Sequence, residues 1–337
     1  KIPEWTRLNV TADAGGTELL LQDAVNWVVG DEVAVASSSF FPGEVDQAMV
    51  VQVTDGGRRL VLDRALKYTH LGVTEMVDGT AVEMRAEVAV LTRNVVVQGD
   101  EGTAREQFGS TIMMHDPRPP TACLDGPGAA CGVTESLMRI SNSEVRRCGQ
   151  AHRLGRYCVH WHMSGDVSKS YMRGSTVHHS NNRAVAVHGV HRLHLERNVA
   201  FNIKGHTFFV EDGGEQENVF TGNLAMWTRK SHSLLNTDTT PASFWVVHPN
   251  NNLTGNVAAG SEAYGFWYRL RDHPEGPSFT RNVCPTKSPL GAFVNNTAHS
   301  NMKYGVRIFE EFFPQATPCS NGGEAVPAGL DPPPPPQ

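Results

Sequence analysis

Fifteen histidines in 337 residues, in a chain with only 19% charged positions, are the first chemistry this sequence offers. Several fall at matching places in short apolar runs: Tyr157-CVHWH, Ala184-VAVHG, Thr207-FFVED, Phe244-WVVHP and Tyr264-GFWYRL. If these runs are β-strands stacked in register, their residues alternate between two faces, and like positions lie about 4.8 Å apart on neighbouring strands. One face then carries Val159, Val185, Phe208, Trp245 and Phe266, and two residues on Trp161, Val187, Val210, Val247 and Tyr268. Both columns are apolar and must meet a core. The opposite face carries His160, Ala186, Phe209, Val246 and Trp267. Beside them stands the column His162, His188, Glu211, His248 and Arg269, which Ile112-MMH extends by His115.

Three chemistries suit such a column. A polar line beside Phe209 and Trp267 describes a carbohydrate groove, made of His160, His162, His188, Phe209, Glu211, His248, Trp267 and Arg269: aromatic faces with a few polar groups to fix orientation. The competing account is an outer face covered by inserted loops. If the groove is catalytic, the candidates are His162, His188, Glu211, Asp212 and Arg269. A polysaccharide lyase would use His162 or His188 as base and Arg269 as charge neutraliser. A glycoside hydrolase needs two carboxylates about 5–10 Å apart. Glu211 and Asp212, neighbours on opposite sides of a strand end, are an awkward pair for that, and Asp166 with Glu211 is the other choice. Third, His160 and His162 share a strand face at i, i+2, and with His188 or Glu211 they could complete a divalent-metal site. No other cofactor is indicated.

The elements that would position these residues come from a repeat. Asn198, Asn223, Asn256 and Asn296 align in one column, with Ser175 one coil earlier, at successive offsets of 23, 25, 33 and 40 residues. The longer two contain extra segments, 231–243 and 271–292; without them the period is roughly 20–26 residues, that of a stacked solenoid. Stacking puts like on like, so the asparagines read as a structural ladder. The fold class expected is all-β: a parallel β-helix. Before it, residues 1–87 alternate Val and Leu between turns, with Asp55-Gly-Gly as a hairpin signal, and are expected to form a small β subdomain capping the solenoid end. The helix proper is placed at 88–313, and 314–337, ending in five prolines, is a Pro-rich linker to other domains of a longer chain.

Composition bounds the setting. The formal net charge is −6, which argues against a nucleic-acid partner. Six cysteines (Cys123, Cys131, Cys148, Cys158, Cys284 and Cys319) include no CxxC pair; an even count suits disulfides in an oxidising compartment, with the connectivity open. Asn9, Asn252 and Asn295 open N-glycosylation tripeptides.

The run GRYCVHWHMSGDVSKSYMRGSTVHHSNNRAVAVHGV (155–190), continued by GHTFFVEDG (205–213) and FWVVHPNNNLTGNVAAGSEAYGFWYRL (244–270), resembles the β-helix region of the fibrocystin-like family. It is similar as well to the related hyaluronan-binding and cell-surface hyaluronidase branch. WTRLNVTADAGGTELLLQDAVNWVVGDEV and DGTAVEMRAEVAVLTRNVVVQGD resemble the stretch after that family's eight-glycine domain, which would lie upstream. The resemblance implies a right-handed parallel β-helix in an extracellular or cell-surface protein, with cilia or flagella among the settings. It splits on activity. The fibrocystin-like side implies a rigid scaffold or a module binding glycan or surface protein. The hyaluronan branch implies a polysaccharide-depolymerising enzyme. The non-enzymatic module is the expectation, the enzyme its alternative.

Overall fold

The computed structural model describes residues 1–116, 121–128, 131–233 and 235–319. Its main body is a parallel β-helix of three sheets. The first has seven strands: Ile112–His115, Val159–Asp166, Val185–His191, Phe208–Val210, Ala242–Val246, Tyr264–Arg269 and Tyr304–Phe309. We call it the histidine sheet. A six-stranded sheet runs from Arg139–Ser141 to Phe293–Val294, and a second seven-stranded sheet from Val95–Gln98 to Thr297–Asn301. One coil is Val185–His191, His194–Glu196 and Val199–Lys204, and every pairing between coils in these sheets is parallel.

Stacked apolar columns fill the interior. The rings of Phe208, Phe244 and Phe266 lie nearly parallel, with centroids 4.9 and 4.7 Å apart. That stack corrects the expected alignment by one residue. Phe244, not Trp245, pairs with Phe208, and Trp245 pairs with Phe209 and Trp267. Because side chains alternate with period two, a slip of one moves every residue of the strand to the other face. Phe244 and Val246 therefore face the core, Trp245 turns outward, and His248 falls past the strand end, outside the polar column.

The asparagine ladder forms as expected. Asn223 Oδ1 accepts from the backbone N and the Nδ2 of Asn198, each at 3.0 Å, and Asn223 donates in the same way to Asn256 Oδ1. Its Nδ2 also donates to Leu195 O at 2.8 Å. The ladder continues to Asn296, and Ser175 N donates to Asn198 Oδ1. Asn218 and Asn251 make a second ladder that the repeat did not reveal.

The N-terminal segment forms an antiparallel six-stranded sheet, with the expected hairpin between Asp46–Thr54 and Arg59–Leu62. It lies along the flank of the helix, however, rather than over its end. Ala34, Ala36, Ala89 and Leu91 pack on Val199, Phe201, Leu224, Met226, Val257 and Ala259, the outward residues of three successive coils. Those outward positions are apolar while Ala200, Ala225 and Ala258 serve the core, so this face needs a cover. Polar ties reinforce it: Trp5 Nε1 donates to Gly222 O at 3.0 Å, and His299 Nε2 lies 2.8 Å from Glu87 Oε2.

All six cysteines pair: Cys123 with Cys131, Cys148 with Cys158, and Cys284 with Cys319. Asn9 and Asn295 are exposed, while Asn252 is half-buried and accepts from Ala292 N. The expected polyproline tail lies outside the described residues.

Two measurements test this architecture. Asn223→Ala leaves Leu195 O and the two Asn198 donors without their partner inside the coil stack, and should cost about 2–4 kcal/mol in denaturant unfolding. The His299–Glu87 tie should show in the pH dependence of stability. Burial opposes charge on both groups, but their mutual attraction outweighs it, raising His299 and lowering Glu87. The carboxylate's contribution is lost as pH falls through its depressed value, the imidazole's as pH rises through its elevated one. Glu87→Gln should therefore remove stability most between about pH 5 and 6.5. A loss in the variant that stays the same from pH 4 to pH 9 would count against the tie.

Candidate functional site

The outer face of the histidine sheet is not bare. The loop before Val159–Asp166 and the two inserted segments rise around it and leave a groove of about 660 Å³. The sheet and its strand ends supply His160, His162, His188, Phe209, Glu211, Asp212, Trp245 and Arg269; the loops supply Leu154, Gly155, Leu235, Asn236, Thr237, Glu275, Gly276 and Pro277. The two sequence-level accounts are thus combined: inserted loops cover the face and, in doing so, wall a cavity.

Beneath the groove runs a buried polar chain. Arg183 is wholly inaccessible. Its Nε and Nη2 donate to Asp238 Oδ1 and Oδ2 at 3.1 and 2.6 Å, and its Nη1 donates to Tyr157 Oη at 3.0 Å. Its guanidinium carbon lies 3.7 Å from the Phe209 ring centre. Tyr157 in turn donates to Glu211 Oε1 at 3.0 Å. Burial works against charge on Arg183, but Tyr157 and Asp238 outweigh it and keep the guanidinium charged. His206, also buried, stacks on Phe209 and leans on Trp245, with ring centroids 5.4 and 4.2 Å away.

Three carboxylates surround His188. Its Nε2 is 2.7 Å from Asp212 Oδ2, and its Nδ1 is 3.3 Å from Glu211 Oε2. Glu215, fully buried, accepts from the backbone N of Gly189, Asp212 and Gly213. Burial disfavours charge on His188, yet Glu211 and Asp212 outweigh it and push its pKa up to about 9. Burial, with Asp212 nearby, pushes Glu215 up to about 7. Gly276, at a φ of 61°, lets the second inserted segment close on Asp212; a Cβ there would stand 3.0 Å from Asp212 Oδ1.

The groove's other two histidines are held neutral. Burial, with His188 beside it, presses His160 well below its ordinary range, and burial with the charge of His188 takes His162 to about 4. His160 Nδ1 is 2.9 Å from Gly155 O, and His162 Nδ1 is 2.9 Å from His115 Nδ1. Ligand nitrogens of His160, His162 and His188 lie within 4.8 Å of one another, the one such group among the described residues.

Several expectations change. His248 is buried in a turn, where its Nδ1 accepts from Asn250 N. Trp267 lies against Trp245, ring centroids 4.7 Å apart, with Arg307 over it, and does not line the groove. Asp166 pairs with Arg192 instead of approaching Glu211. Glu211 and Asp212, expected to diverge, both turn to His188, because the strand ends at Val210 and the pleat no longer separates them. Arg269 stands over Trp245 at 5.6 Å and donates to Glu275 at 2.9 Å. Tyr157, Arg183, Glu215 and Asp238 were not anticipated. The one signal was Arg183 itself, a charge opening an apolar strand run in a chain of low charge.

Residues 128–306, which hold every sheet-borne residue of the groove, match the model of the CEMIP β-helix family. The chain belongs to that family. It is 41% identical to mouse Fibrocystin-L over 96% of its own length and 8% of the relative's. It is 33% identical to human Cell surface hyaluronidase CEMIP2, over 86% of this chain and 23% of that one. With human Cell migration-inducing and hyaluronan-binding protein it shares 30% identity over 91% and 24%. The chain thus spans less than a quarter of each of these relatives. Among the described residues no helix is long and apolar enough to cross a membrane.

The buried pair gives a direct test. Asp238→Asn leaves Arg183 charged without its bidentate partner, the remaining carboxylate, Glu211, being 4.0 Å away, and should destabilise the protein by about 3–5 kcal/mol in denaturant titration. Tryptophan fluorescence should change as well, since Arg183 holds Phe209 and the rings beyond it.

Proposed function

We propose that this chain is an extracellular β-helix module whose groove binds a polysaccharide. The observation that carries this is the groove's make-up: Phe209 and Trp245, each 3% exposed, form an apolar floor, and His162, His188, Asp212, Arg269 and Glu275 surround them with hydrogen-bonding groups. Few polar groups on an aromatic floor are what orient a ligand in a pocket. Three disulfides fit an oxidising exterior, as do relatives named for the cell surface and for hyaluronan.

One observation favours a second reading, cleavage of the bound chain. Glu211 and Asp212 converge on opposite edges of one imidazole at the groove wall, and paired carboxylates are the usual equipment of glycoside hydrolysis. The two readings separate in one experiment. The purified chain is incubated with neutral and uronic-acid polysaccharides, and binding, chain length and reducing ends are followed. Binding that Trp245→Ala weakens at least tenfold, with chain length unchanged, is the expected result. Shortening that Glu211→Gln abolishes would replace the binding reading by the enzymatic one. Absence of both would remove the groove from function.

A further inference from the structure

We propose that His160, His162 and His188, with Glu211, form a binding site for a divalent transition-metal ion in the wall of the groove. The first ground is convergence. Ligands on one tetrahedral zinc-like ion stand about 3.4 Å apart, so nitrogens already within 4.8 Å of one another close on an ion with side-chain shifts of about an ångström.

The second ground is the hydrogen bonding behind the rings. His160 Nδ1 faces Gly155 O at 2.9 Å, so it must carry the proton and donate, which leaves Nε2 with its lone pair. That Nε2 is buried, has no hydrogen-bond partner, and lies 4.0 Å from Glu211 Oε2. His188 repeats the arrangement with the nitrogens exchanged: Nε2 is held by Asp212 at 2.7 Å, and Nδ1 lies 3.3 Å from the same carboxylate oxygen. Glu211 Oε1 is fixed by Tyr157, while Oε2 makes no hydrogen bond. A backbone carbonyl or carboxylate on the outer nitrogen of an inward-facing imidazole is the support that metal-binding histidines use to set tautomer and ring orientation. A proton on His188 would account for that residue's contacts alone. It leaves the His160 nitrogen unsatisfied at a buried point, which is costly.

Imidazoles with one carboxylate suit zinc, copper, nickel or iron and not calcium or magnesium, which prefer all-oxygen sites. Because all four residues line the groove, an ion here would keep a position open toward the groove's contents. The inference does not rest on the polysaccharide reading: sugar binding can fail and the metal site still stand.

The test is titration of the chelator-stripped chain with Zn²⁺ and Co²⁺, read by calorimetry and by the visible spectrum of bound Co²⁺. One equivalent is expected to bind, with Ca²⁺ unable to compete. His160→Gln and His162→Gln should each abolish the stoichiometric site, and Asp212→Asn should weaken it about 10–100-fold. Because His160 is buried, His162→Gln, at a half-buried position, decides the matter if His160→Gln does not fold by circular dichroism. His194→Gln, on another sheet, should bind as the parent does. Absence of stoichiometric binding in the parent, or binding that survives His162→Gln, overturns the proposal.

Discussion

Each coil of this protein completes its backbone hydrogen bonds on the coils above and below it, and that one-to-one register is the constraint from which the rest follows. A coil of some two dozen residues cannot bury its own apolar face. Its strands need partners, and its turns need something to satisfy the groups left at the corners. The Asn198–Asn296 ladder does this with one residue per coil, each carboxamide oxygen serving its neighbour's backbone and side chain at once. With the register locked, His162 must lie beside His188, and Phe209 beside Trp245. Extra residues can leave only at strand ends. The inserted segments leave there, on either side of the histidine sheet, and this is why the groove has walls.

How much of this the sequence discloses depends on which residues repeat. The ladder, the coil length and the pairing of His115, His162 and His188 were legible because identical or similar residues recur at one offset. The slip at Phe244-Trp245-Val246 was not legible: strands covered on both faces are apolar throughout, so either register satisfies the pattern. Only the preference of Phe244 for the Phe208–Phe266 stack decides it. Arg183 and Asp238 are 55 residues apart, one before a strand and one inside an insertion, and no period links them. The flank position of the N-terminal sheet had a sequence trace in the outward Val, Phe, Leu and Met residues of three coils, but nothing named what would cover them.

The buried chain from Asp238 through Arg183 and Tyr157 to Glu211 is better read as placement than as net stability. Removing two charges from water consumes most of what their attraction returns. What the pair fixes is position. Asp238 sits in an insertion with little apolar surface of its own, and its bidentate hold on Arg183 docks that segment on the sheet. The same guanidinium presses on Phe209 and holds the tyrosine that holds Glu211. A groove wall and a groove side chain are thereby set by one cation that the solvent never touches.

The sheet along the flank has a consequence for how the molecule comes apart. A bare solenoid couples each repeat only to its neighbours, so it can fray from an end one coil at a time. Here Ala34, Ala36, Ala89 and Leu91 span the coils of Val199, Leu224 and Val257, and Glu87 reaches the strand after them through His299. Four consecutive coils are splinted side by side. Losing any one of them strips cover from the others, so this stretch melts as a unit, and the coils that carry Glu211, Trp245 and Arg269 lie within it.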